Sequence, residues 1–154
     1  AMLEKALILA AKAHTGQVDK GGAPYILHPI RVMLACEGEK EKIVALLHDT
    51  LEDTALTAAD LRCAGFSEEI VQAVCCLTRG QKEDYMDYIA RICENALAAR
   101  VKYADLQDNL DISRIPNPTE KDFARIRKYE QAMKRITRSI KGGREHGVLD
   151  TGTL

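Results

Sequence analysis

The chain has 154 residues, 46% of them apolar and 29% charged, which fits one domain with an ordinary core. Its 22 basic and 23 acidic side chains leave a net charge of −1, which argues against a general nucleic-acid or membrane-surface binder. An anionic substrate must then be met by a local cluster of cations or by a metal.

Residues 3–13 carry Leu3, Ala6, Leu7, Ala10 and Ala13 at one-faced helical spacing, and this first helix should stop near Thr15-Gly16. Gly21-Gly22-Ala23-Pro24 predicts a loop. His28-Pro29 opens a second helix, with proline in the first turn that tolerates it. A third helix carries Ile43, Val44, Leu46 and Leu47 and runs into His48-Asp49. Thr57 and Asp60 have capping-box spacing for a short fourth helix, which Gly65 can end. Ser67 caps a fifth, with Glu68 and Glu69 favourably placed in its first turn. Residues 84–94 and 96–115 predict two more helices. Pro116-Asn117-Pro118 breaks the chain, and Thr119 with Asp122 caps a last long helix expected to end at Gly142-Gly143. The pattern predicts one all-α domain of seven or eight helices over residues 2–143, with a loose polar tail over 144–154.

No apolar stretch approaches the roughly 20 residues of a membrane span, and no signal peptide is visible. Cys36, Cys63, Cys75, Cys76 and Cys93 include no C-x-x-C pair and are expected as small, reduced core residues of a cytoplasmic protein.

The densest chemical segment is Leu46-Leu47-His48-Asp49-Thr50-Leu51-Glu52-Asp53-Thr54. A histidine beside an aspartate offers one neutral nitrogen and one hard anionic oxygen, a set that suits manganese, iron or zinc better than calcium. Glu52 follows His48 by four residues and Asp53 follows Asp49 by four. On a continued helical turn both lie above that pair, where a general base or a positioner of water is useful. Taken singly, these segments also read as a helix end with solvated acids. His28 alone reads equally as a capping or core histidine, and Asp105 alone as an exposed aspartate.

Three segments in order resemble the RelA/SpoT-type HD hydrolase domain. They are His14-Thr15-Gly16-Gln17-Val18-Asp19-Lys20-Gly21-Gly22-Ala23-Pro24-Tyr25-Ile26-Leu27-His28-Pro29, the His48-Asp49 segment above, and Val101-Lys102-Tyr103-Ala104-Asp105-Leu106-Gln107-Asp108-Asn109. The resemblance covers about residues 3–140 and implies an all-helical HD bundle. It implies that His28, His48, Asp49 and Asp105 hold one divalent cation, most simply manganese. Glu52 and Asp53 are then the catalytic acids, and Asn109 meets the nucleotide. Lys20, Arg125 and Tyr129 are further substrate-binding candidates, although the helix bearing the last two is basic all round and also reads as a solvated face.

The implied activity is removal of the 3′-pyrophosphate of guanosine tetraphosphate (ppGpp). The implied partner is a small nucleotide, with neither nucleic acid nor membrane, and self-association is left open. At 154 residues the synthetase domain of the long bifunctional members is not expected. Two positions depart from the pattern: Asp19 stands where the family has arginine, and Leu106 where it has lysine or arginine. Asp108 and Asp111 make the surface beside Asn109 more acidic. These departures keep open an HD phosphohydrolase with another phosphorylated substrate, and a non-catalytic domain that binds a metal or nucleotide.

Overall fold

The computed structural model describes the backbone of residues 2–152 and the side chains of residues 2–142. Among the described residues the chain forms helices α1 (Met2–Ala13), α2 (Leu27–Leu34), α3 (Glu39–Leu47), α4 (Thr50–Asp53) and α5 (Ala58–Cys63). These are followed by α6 (Glu68–Cys76), α7 (Tyr85–Ile92), α8 (Ala96–Asn109) and α9 (Glu120–Gly152). α4 is a single turn, and the other eight agree with the number expected. The strand-like contact among these residues is an isolated antiparallel bridge of Val18 with Pro24.

The helix starts follow from local side-chain chemistry. Thr57 and Asp60 each accept the other's backbone N–H, a complete capping box at α5. The Ser67 hydroxyl accepts from the Ile70 N–H, and the Asp84 carboxylate accepts from Met86 and Asp87. Gly65, at φ +96°, takes the left-handed conformation that ends α5.

α3 and α8 form the centre. α3 packs on α1, α2, α6 and α8, while α8 packs on α2, α6, α7 and α9 as well. Ile43, Val44, Ala45, Leu46 and Leu47 are buried without a break, as expected for a helix covered on all sides. Each of the two leucines contributes about 1.5–3 kcal/mol by leaving water. This packing brings the end of α3, which bears His48, beside the middle of α8, which bears Asp105.

Three expectations are corrected. α8 ends at Asn109, not 115, because the Asp111 carboxylate accepts from the Ser113 N–H and turns the chain into a 3-10 turn, Ile112–Arg114. α9 passes through Gly142 and continues to Gly152. A glycine stops a helix by adopting positive φ, and Gly142 does not. The loose tail expected from 144 is therefore helical in backbone to Gly152; its side chains, and residues 153–154 entirely, lie outside the described residues. Finally, the five cysteines are free, but Cys63 is exposed on the outer face of α5 rather than part of the core.

Candidate metal centre

His28 sits in the first turn of α2, His48 follows the last residue of α3, Asp49 precedes α4, and Asp105 lies in α8. Their tips converge. His28 Nε2 is 2.8 Å from Asp105 Oδ1 and 3.8 Å from Asp49 Oδ2. His48 Nε2 is 3.0 Å from Asp49 Oδ2 and 3.3 Å from Asp105 Oδ1. One donor atom from each of His28, His48 and Asp49 falls within 4.8 Å of the others. Two imidazole nitrogens and two carboxylate oxygens turned toward one point are a donor set that fits a divalent transition metal.

The same groups hold each other's charge. Burial alone would lower His28, but hydrogen bonds to Asp105 and Asp108 raise it to about 9. Burial opposes charge on His48 too, and the Asp49 and Asp105 carboxylates raise it well above its ordinary value. Burial would raise Asp49, yet His48 holds it at about 2. Asp105 is likewise pushed up by burial and held well below the carboxylate range by Lys102 and His48. Lys102 Nζ lies 2.9 Å from Asp105 Oδ2 and 5.2 Å from the centre of the Tyr88 ring.

Neighbouring polar groups orient the carboxylates. The Tyr25 hydroxyl donates to Asp49 Oδ2 at 2.5 Å, and the Asn109 amide donates to Asp105 Oδ1 at 3.1 Å. Asn109 therefore meets a proposed ligand directly. Glu52 Oε1 accepts from the Arg79 N–H at 2.8 Å. Asp53 is raised to about 6, first by burial and then by the charges of Asp49 and Glu52.

His28, Asp49, Asp105, Tyr25, Asn109, Glu52 and Asp53 line a cleft of about 360 Å³, which Lys20, Arg79, Arg125, Lys128, Tyr85 and Tyr129 also line. Lys20 is lowered by burial and by Arg125. Lys128 is lowered by burial and then by Arg79, Arg125, Lys102 and Lys20. Cations that depress one another in this way make a favourable seat for a polyanion. Lys128 Nζ stands 4.5 Å from the Tyr85 ring centre, and the Tyr85 and Tyr129 rings are 6.3 Å apart. The Tyr85 hydroxyl is buried with no hydrogen-bond partner.

Asp19, where the family pattern has arginine, holds its own loop, since its Oδ1 accepts from the Gly21 and Ala23 N–H groups, both at 2.9 Å. A Cβ on Gly21 would collide with the Arg114 carbonyl oxygen, so this loop packs directly on the segment after α8. Leu106 is fully buried and could present no cation to the cleft. The extra acidity expected from Asp108 and Asp111 is neutralised. Arg31 holds Asp108 through Nε at 2.8 Å and Nη2 at 3.1 Å, and Arg114 holds Asp111 at 3.0 Å.

Sequence reasoning missed Arg31, Arg79, Lys128, Tyr85 and the pairing of Asp108. One signal was available: Arg31 follows His28 by three residues and Asp108 follows Asp105 by three, so each shares its partner's helix face.

No protein-family model matches the chain. It is 32% identical over 120 residues to guanosine-3′,5′-bis(diphosphate) 3′-pyrophosphohydrolase of Aquifex aeolicus. It is also 32% identical over 124 residues to the bifunctional (p)ppGpp synthase/hydrolase SpoT of Escherichia coli. Each match takes in 70% of this chain and 17% of the relative, so the chain spans about a sixth of their length. A solved structure of a metazoan ortholog of SpoT that hydrolyses ppGpp superposes with a TM-score of 0.73 at 26% identity, covering 92% of this chain and 86% of that one.

Proposed function

We propose that the chain is a RelA/SpoT-type HD-domain protein and acts as a metal-dependent phosphohydrolase of ppGpp. The carrying observation is the convergence of His28, His48, Asp49 and Asp105 beside a cleft that is also lined by Lys20, Arg79, Arg125 and Lys128. In this reading those four residues hold one divalent ion, with manganese as the proposed metal. The ion, when bound, acts as a Lewis acid on the phosphoryl group and makes water more acidic.

The protein's own residues do the rest. Tyr25 and Asn109 fix the orientation of the two carboxylates. Glu52, tied to the Arg79 backbone, and Asp53 orient the attacking water and accept its proton. Water adds to the phosphorus attached to the 3′-oxygen. That P–O bond breaks, the water's proton passes to the acidic pair and from there to the departing 3′-oxygen, and guanosine diphosphate, with its 3′-hydroxyl restored, and pyrophosphate leave. Lys20, Arg125 and Lys128 meet the second diphosphate, and the Tyr85 and Tyr129 rings border the space for the base.

The test is hydrolysis of ppGpp by the purified protein with added Mn²⁺, followed by release of guanosine diphosphate. Turnover that is abolished by chelation supports the reading. Turnover of another phosphorylated substrate but not of ppGpp favours the second reading, an HD phosphohydrolase with a different substrate. No turnover of any phosphoester with any divalent metal overturns both.

A further inference from the structure

His28 is held between two carboxylates on opposite sides of its ring. On the cluster side, Nε2 faces Asp105 at 2.8 Å; on the far side, Nδ1 faces Asp108 Oδ2 at 2.6 Å. Asp108 is itself clamped. Arg31, one turn after His28 on α2, engages both its oxygens, and Arg114 Nη2 approaches Oδ2 at 3.3 Å while donating to the Asp108 carbonyl at 3.0 Å. Three donors thus converge on a carboxylate that can only accept, because arginine does not give up its proton. The hydrogen between Asp108 and His28 therefore belongs to Nδ1.

His48 reaches the same state by another route: its Nδ1 lies 2.5 Å from the Ala45 carbonyl oxygen, which also can only accept. With an ion at Nε2, both imidazoles would keep their remaining proton on Nδ1 and offer the Nε2 lone pair inward. The backbone secures this for His48, whereas three side chains from α2, α8 and the turn after α8 secure it for His28.

We infer that Asp108, braced by Arg31 and Arg114, is a positioning residue that sets the ring orientation and tautomer of His28 for metal binding. This rests on the metal reading above. A carboxylate behind a ligating histidine orients it and strengthens its donor nitrogen, and loss of such a partner typically costs about 10–100-fold in metal affinity. Arg31 is needed because Asp108 alone would add another negative charge to a centre that already holds Asp49 and Asp105.

The experiment titrates Mn²⁺ into the metal-free full chain and into Asp108→Ala, Asp108→Asn and Arg31→Met by calorimetry. Ring ¹⁵N shifts of His28 are recorded in Zn²⁺-loaded protein. Asp108→Ala is expected to weaken Mn²⁺ binding about 10–100-fold and to shift His28 away from the Nδ1–H form. Asp108→Asn retains an acceptor, so it should keep the tautomer and lose less affinity. Arg31→Met should fall between the parent and Asp108→Ala. Affinity within twofold of the parent in Asp108→Ala, with unchanged His28 shifts, overturns the inference and leaves the metal reading standing. A parent that binds no divalent ion overturns both.

Discussion

The side chains of the histidine cluster are held by buried hydrogen bonds and ion pairs, while Arg79 and Lys128 in the same cleft rest largely on aromatic rings. His28, His48 and Asp105 are buried on α2, α3 and α8, and each has at least two polar partners. Arg79 and Lys128 face the same cleft from a loop and from the outer helix α9, against the aromatic surface of Tyr85. The first region suits chemistry that tolerates little displacement. The second suits recognition of a charged group, in which long side chains adjust to the ligand. On the proposed function, chemistry and substrate choice fall on parts of the molecule with different freedom to change.

The largest expected effect is at the buried end. Asp105→Ala leaves Lys102 buried without its carboxylate, so stability in urea should fall by about 3–5 kcal/mol, with loss of bound metal. Adding Lys102→Met should recover part of the stability and none of the metal. A single variant as stable as the parent would mean that the pair carries no charge-balancing role.

Next comes chemistry without structure. Replacing Glu52 with Gln and Asp53 with Asn should lower turnover about 10²–10⁴-fold while Mn²⁺ content stays near that of the parent. Equal turnover would remove the acidic pair from the mechanism.

At the cationic end, Lys128→Met should raise KM for ppGpp about tenfold and leave kcat within about twofold, since a charge-assisted hydrogen bond contributes about 1.5–3 kcal/mol. High salt should narrow the difference. A drop in kcat with KM unchanged would break the division between the two regions.

The smallest effect concerns the prop beneath Arg79. Glu83 binds Arg91 through both oxygens and accepts from the Gly80 N–H, and Arg91 also donates to the Cys76 and Thr78 carbonyls. Hydrogen bonds from Arg91, and then from Gly80, hold the Glu83 carboxyl at about 2 against an ordinary 4.5. A depressed carboxyl stabilises the fold above about pH 4.5, and that contribution is lost as pH falls toward 2. Glu83→Gln should therefore be less stable than the parent at about pH 7 and indistinguishable from it near pH 2. A gap in stability that is constant with pH would contradict the assignment.

Helix starts were legible because their causes are local: Thr57, Ser67 and Asp84 cap residues two or three positions away. The end of α8 was not, because the apolar rhythm persists past Asn109 and the turn depends on where the Asp111 carboxylate points. The four proposed metal ligands stand in short recognisable segments. Arg31 with Asp108 escaped because the pair is 77 positions apart in sequence. Lys128 escaped for a different reason: on a helix that is basic all round, only the docking of α9 on α8 and α7 decides which lysine faces the cleft.

The mutual dependence of Arg31 and Asp108 also constrains how such a centre can be assembled stepwise. Asp108 introduced first would crowd a third carboxylate against Asp49 and Asp105. Arg31 introduced first would bring a cation to the back of His28 and discourage the incoming ion. Each residue is then expected to contribute less alone than with the other. A graft of this centre into another helical scaffold succeeds or fails on the pair, not on either residue.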